Sequence, residues 1–200
     1  MKRIVLLPLL LAACSGGGEP PPEAAASDAA SPAAGEDAAA AARSAATGAR
    51  RSRYSALKDC TVIDSAEDED WSVSRCAGPG GFTLFVDYGD ARDDLRIQRK
   101  GAEPVAVGLV ALGGGGFNTL GDAVEWRGSG QGDAFVPAAL IVRNRLVEDP
   151  EQPERPTGML VVIDLARGCA VAQVRPQSGQ NEAARAIADG PQRPCLGRKP

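Results

Sequence analysis

From Ser15 to Arg53 the chain reads SGGGEPPPEAAASDAASPAAGEDAAAAARSAATGARRSR and carries almost no large apolar side chain. Such a stretch cannot bury enough surface to offset the entropy of ordering it. It is therefore expected to be a disordered Ala/Pro/Gly-rich tether, stiffened locally at Pro20 to Pro22. Whatever folds must be built from the 147 residues between Tyr54 and Pro200, a length that suits one domain with its own core. As a flexible coil the tether would span roughly 35 Å r.m.s..

Ahead of the tether, Lys2 and Arg3 form a positive n-region, Ile4 to Leu11 an apolar run broken only by Pro8, and Ala12-Ala13 the small residues that precede a signal-peptidase cut. The run is about half the roughly 20 residues a transmembrane helix needs. Leu11-Ala12-Ala13-Cys14 resembles the bacterial lipobox. The resemblance implies that residues 1–13 are a lipoprotein signal peptide and that Cys14 carries the acyl chains, palmitate among them. The rival is an ordinary secretion signal followed by an incidental cysteine. Ser15 stands where an Asp would, by resemblance to enterobacterial lipoproteins, favour retention in the inner membrane. The expected location is thus the periplasmic face of a membrane, the outer one. The expected organisation is signal peptide 1–13, lipid-anchored tether 14–53 and a single periplasmic domain 54–200.

With Cys14 set aside, Cys60, Cys76, Cys169 and Cys195 form an even set, and an oxidising compartment favours pairing them. Four cysteines allow three connectivities. In CTVIDSAEDEDWSVSRC, two β-prone runs flank an acidic turn, and a hairpin centred on Asp68 puts Cys60 opposite Cys76, near bridging distance. The remaining pair, Cys169 with Cys195, would tie a strand to the C-terminal tail. A four-cysteine zinc site finds no Cys-x-x-Cys spacing.

Apolar alternation at 71-WSVSRC, 82-FTLFVD and 94-DLRIQ, with longer runs at 105-VAVGLVAL, 135-FVPAALIVRNRL, 159-MLVVIDL and 169-CAVAQVR, predicts seven to nine strands. Leu140, Val142, Asn144 and Leu146 share one face, and Ala139, Ile141, Arg143 and Arg145 the other. Met159 to Leu165 is apolar on both faces, as in a strand covered on each side. The best helix is QNEAARAIADGP, with Asn181 as cap, Gly190-Pro191 as stop and Ala184, Ile187 and Ala188 on one small apolar face. The expected fold is α+β: a mainly antiparallel β-sheet or small sandwich with a C-terminal helix and two disulfides.

The chemistry open to such a chain is narrow. It has no histidine, which removes Ser-His-Asp and Cys-His catalysis and every His-containing metal site. Its 22 basic and 26 acidic residues give a net charge of −4, a poor match to nucleic acid, whose phosphates demand a basic face. The carboxylates of 67-EDED-70 and of Asp87, Asp90, Asp93 and Asp94 could meet Ca²⁺. The first reads more simply as a solvated turn, and the second departs from the D-x-[DN]-x-[DN]-G loop, so no metal is expected. The glycines of 113-GGGG-116 lack the Lys-Ser/Thr of a phosphate loop and read as a mobile loop leading into a strand over 123–127. On that strand Glu125 and Arg127 point one way and Trp126 the other. Phe117, Glu125, Trp126 and Arg127 are the candidate contact surface. A plainer alternative has Trp126 anchoring the core and Glu125 paired with Arg127 or Arg143.

The order Cys60, Cys76-x-Gly78, Phe117-Asn118-Thr119-Leu120-Gly121, Glu125-Trp126-Arg127, Asn181-Glu182-x-Ala184-Arg185 and Cys195 resembles uncharacterised exported proteins of proteobacteria. The resemblance implies a secreted disulfide domain and no particular activity. The expected function is a binding or interaction domain of the bacterial cell envelope, held to the membrane by lipid on Cys14, without cofactor or catalytic residues. Its partner would be an envelope protein or peptidoglycan and not nucleic acid. The alternatives are a carboxylate-dependent peptidoglycan hydrolase, using Glu125 with Asp87, Asp90 or Asp122, and an inhibitor of a lytic enzyme.

Overall fold

The computed structural model describes residues 49–197. The signal peptide, Cys14 and the tether up to residue 48 lie outside the described residues. Ten strands form one sheet: β1 (Arg51–Ala56), β2 (Thr61–Ala66), β3 (Trp71–Ala77), β4 (Phe82–Gly89), β5 (Arg92–Arg99), β6 (Val105–Ala106), β7 (Asn118–Ser129), β8 (Val136–Leu146), β9 (Thr157–Asp164) and β10 (Cys169–Val174). A single α-helical turn, α1 (Leu109–Leu112), a C-terminal helix, α2 (Gln180–Asp189), and four short 3-10 turns lie between and after the strands. The order across the sheet is β10-β9-β8-β7-β5-β4-β3-β2, with β1 also beside β7 and β6 beside β5. Every pairing is antiparallel except that of β5 with β7, which meet in parallel only at Arg92 and Asn118.

On the two sides of that short junction, the strands pack their apolar faces into one core. Phe82 and Leu84 of β4 and Leu95 and Ile97 of β5 share one core with Val124 and Trp126 of β7, Leu140 and Val142 of β8, and Val161 and Ile163 of β9. The fold is the expected α+β arrangement, with a C-terminal helix and two disulfides. Trp126 is fully buried, 5.9 Å from Phe82 between ring centroids, and its indole N–H donates to Ser55 Oγ at 3.0 Å. Close approach to this ring explains the glycine two residues after Cys76: a Cβ on Gly78 would stand 2.6 Å from Trp126.

The double apolar character of β9 has the expected origin. Val161 and Ile163 face the core, while Leu160 and Val162 lie with Ile141 beneath α2, which buries Ala184 and sets Ile187 and Ala188 against them. The helix does not use Asn181 as its cap. It starts two residues earlier than that cap would place it, at Gln180 after Gly179 in a left-handed conformation (φ 72°), with no side-chain cap. Gln180 instead fastens the first turn, donating to Gly158 O at 2.8 Å and Val174 O at 2.9 Å. At the other end, Cys195 bridges to Cys169 of β10.

The second disulfide joins Cys60 and Cys76. At that end β2 and β3 pair Thr61 with Arg75 and Val62 with Ser74, the register expected from the cysteines. A bulge at Ile63 then moves the register by one, so Asp64 meets Val73 and the turn does not centre on Asp68.

Three further departures have local causes. The run at 105 gives only the two-residue strand β6, because Gly108 (φ 79°) breaks it and α1 turns Leu109 fully into the core. β7 begins at Asn118 rather than Ala123. β1 begins at Arg51, three residues before the expected domain boundary, and is the strand that brings the number among the described residues to ten rather than seven to nine.

Candidate functional site

The period of a strand sends Trp126 into the core and leaves Glu125 and Arg127 on the outer face of β7. Two other elements cover that face. β1 pairs with β7 so that Ser52 stands opposite Arg127 and Tyr54 opposite Glu125. From above, α2 presents Arg185 and Asp189, one turn apart on the same side of the helix. The result is an alternating array in which Glu125 and Arg127 are buried.

Arg185 grips Glu125 with two N–H groups, at 2.7 and 3.1 Å, and donates a third bond to the Tyr54 hydroxyl at 3.0 Å. Arg127 holds Asp189 with its Nε at 3.2 Å and a terminal nitrogen. Ser52 links the two pairs, accepting from Arg127 at 2.6 Å and donating to Glu125. Glu125 and Arg127 themselves stand 3.9 Å apart. The principal partner of Glu125 is thus Arg185, not Arg127 or Arg143 as expected from β-strand proximity.

Burial alone would push the Glu125 carboxyl up. The hydrogen bonds from Arg185 and Ser52 and the charges of Arg185 and Arg127 outweigh it and hold the carboxyl below the usual carboxylate range. The same bond to Glu125, with its charge, raises Arg185 against the opposing effect of burial. A carboxylate held ionised in this way is a poor general acid, because its proton would have to displace a bidentate cation. What the array does is mechanical: it clamps β1 and α2 onto the middle of β7.

The other nominated carboxylates are dispersed. Asp87, on the outer face of β4, is held by Arg96 in two bonds of 2.6 Å. Asp90, in the left-handed turn between β4 and β5, pairs with Arg92. Asp122 is exposed, 3.7 Å from Arg145. Because Leu84 belongs to the core and Asp87 faces the opposite way on β4, the core separates Asp87 from Glu125. Asp94 accepts from the backbone N–H groups of Leu95 and Leu109 at 2.7 and 2.8 Å, and Asp93 from that of Leu120 at 2.7 Å. Burial raises the Asp93 carboxyl, against the lowering effect of the Leu120 bond. Among the described residues no three His, Cys, Asp or Glu side chains are grouped to hold a metal ion.

The four residues nominated as a contact surface are not brought together. Trp126 is in the core, Glu125 and Arg127 are under α2, and Phe117 is exposed before the start of β7 with the Arg92 guanidinium 5.0 Å above its ring. No family model, curated protein or solved structure matches this chain. Two features went unread in the sequence. One is the fully buried pair Asn118 and Asn144, in which Asn118 donates to Asn144 at 2.8 Å and to Asp93 O at 2.8 Å. Its signal was the single amide on an otherwise dry face of β8. The other is the outer edge of β2, which among the described residues pairs only with β3 and leaves Val62 and Ile63 57% and 48% exposed.

Proposed function

We propose that this chain is a lipid-anchored binding or interaction domain of the bacterial cell envelope, held at the periplasmic face of the outer membrane by acyl chains on Cys14. The observation that carries this reading is the commitment of the buried charged cluster on β7 to holding the fold, together with the outer edge of β2, which has no strand partner among the described residues and exposes two large apolar side chains. Catalysis needs groups free to exchange protons, and Glu125 is not free. Recognition needs an accessible surface with unsatisfied groups, and the β2 edge offers backbone N–H and C=O groups together with Val62 and Ile63. The carboxylates Asp64, Glu67, Asp68 and Glu69 around it disfavour pairing with a second acidic copy and favour a basic envelope partner. A basic lytic enzyme held in this way would be inhibited, which is one form of the same function.

The test mixes the oxidised protein with purified sacculi and, separately, with solubilised envelope proteins, and follows retention and release of soluble sugar fragments. Retention without release, weakened by V62D, is the expected result. Release of sugar fragments that disappears in E125Q would replace the binding reading with the hydrolase.

A further inference from the structure

The register of the sheet gathers many of the domain's carboxylates at one end and cations without ion-pair partners among the described residues at the other. Arg92, Arg155 and Arg175 also stand at the carboxylate end, where Arg92 and Arg175 are paired with Asp90 and Glu148. At one end stand the β2–β3 turn with Glu67, Asp68, Glu69 and Asp70, and the β8–β9 connection with Glu148, Asp149, Glu151 and Glu154. A row of register partners links them: Trp71 with Gly89, Gly89 with Arg92, Arg92 with Asn118, Asn118 with Leu146 and Leu146 with Thr157.

The other end is basic. Arg51 pairs with Gly128 and Gly128 with Pro137, while Phe82 pairs with Arg99. The Pro79–Gly81 turn joins these two groups. Gly81 O accepts from the Lys100 N–H at 2.9 Å, and a Cβ on Gly80 would stand 2.6 Å from Pro137 Cδ. The Arg53 guanidinium lies 5.3 Å over the Phe135 ring, and that of Arg99 lies 5.5 Å over Phe82. Arg51, Arg53, Arg99 and Lys100 therefore surround one corner, and Val136 at that corner is 65% exposed. None of these four cations has an ion-pair partner among the described residues. Glu103 and Asp133 are the acidic residues of the neighbouring loops.

We propose that this corner is a docking surface for an anionic phospholipid leaflet. The inference rests on the anchored reading of Cys14 for its occupant. Charge complementarity is the first argument: unpaired cations around an exposed apolar side chain are what a negatively charged leaflet attracts, while the acidic end is repelled. The second is where the outside chain arrives. The chain ahead of the described residues joins the domain at β1, whose Arg51 stands at this corner. The domain then lies with its basic corner on the leaflet and its acidic end, with the β2–β3 turn, directed outward.

The experiment compares the full chain with its R99E/K100E variant by co-sedimentation on vesicles of phosphatidylglycerol and phosphatidylcholine in equal parts, and on phosphatidylcholine alone. The apolar leader with Lys2 and Arg3 is common to both proteins, so their difference reads the corner. Each cation near an anionic leaflet is worth about fivefold in partitioning at low salt. The variant is expected to bind anionic vesicles more than tenfold more weakly, with the gap closing at high salt and absent on phosphatidylcholine. Equal binding of the two proteins to anionic vesicles would overturn the proposal. V136D, fully folded by circular dichroism, is expected to bind more weakly as well; unchanged binding by both variants refutes the surface even if one of them folds poorly. Metabolic palmitate labelling of the protein and C14S tests the anchor separately. A labelled chain without the vesicle difference loses the docking surface alone, and an unlabelled chain that keeps the difference loses the anchor alone.

Discussion

Replacing Arg185 by alanine tests the clamp most directly. Glu125 keeps 10% of its side chain exposed and would lose charge-assisted bonds of 2.7 and 3.1 Å. Removing one partner of a deeply buried pair costs about 3–5 kcal/mol. Arg185, however, is 33% exposed, so water replaces part of what it supplied, and Ser52 and Arg127 remain beside the carboxylate. Scaled toward the exposed-pair limit, the expected loss is about 2 kcal/mol, a fall in Tm of about 4–8 °C for a domain of this size. The loss should depend on pH in a defined direction. Glu125 has its folded pKa below its unfolded value. Its contribution is therefore complete above the unfolded pKa and is lost as pH falls through the folded one. Urea unfolding of wild type and R185A should show the full gap at pH 7 and a smaller one below about pH 4. In a double-mutant cycle, E125Q should cost much less in the R185A background than alone. Additive losses, or the same gap at pH 7 and pH 3, would refute the assignment of Arg185 as the counterion that keeps Glu125 ionised.

Three other perturbations have defined outcomes. C60S/C76S opens a link between residues 16 apart and should lower the unfolding free energy by about 3 kcal/mol; non-reducing peptide mapping of wild type should recover Cys60 joined to Cys76. G78V drives a side chain into the Trp126 ring and should destabilise by about 1–3 kcal/mol, with a change in the near-ultraviolet dichroism of that indole as the readout. Asp93 has the opposite linkage to Glu125: its raised folded pKa means that stability falls as pH rises from the unfolded value through the folded one. D93N should therefore melt higher than wild type at pH 7 and match it at pH 3, and a lower Tm at both pH values would show that the Leu120 bond outweighs desolvation.

What could be read in the sequence depended on the range of the interaction. Strand period placed Trp126 inside and Glu125 outside because alternation is local. The Cys60–Cys76 hairpin was legible because two independent signals, the spacing and the β-prone runs, agreed. The bulge at Ile63 was not, since an extra residue in one strand changes no local propensity. β1 was hidden for a related reason: RSRYSA has little hydrophobic pattern of its own, and its place is set by β7, some seventy residues on. Arg185 and Asp189 look like ordinary solvated helix residues in the sequence, and only the docking of α2 gives them partners. Asn181 carries the composition of a cap, yet the helix starts two residues earlier, where Gln180 makes its tertiary bonds. Phe117, Glu125, Trp126 and Arg127 lie in three different surroundings, because Phe117 precedes β7, the strand period turns Trp126 into the core, and α2 covers Glu125 and Arg127.

The clamp also says something about the order in which the chain can reach its native state. Its parts come from residues 52–54, 125–127 and 185–189, so the beginning, middle and end of the domain close on one another in a single step. A chain growing from its N-terminus cannot complete this array until α2 is available, because Glu125 waits for a cation sixty residues downstream. Non-local closure of this kind slows folding and makes it cooperative. Until its last helix exists, the protein is a chain whose central strand lacks its lock, and trimming the domain back past α2 returns it to that condition.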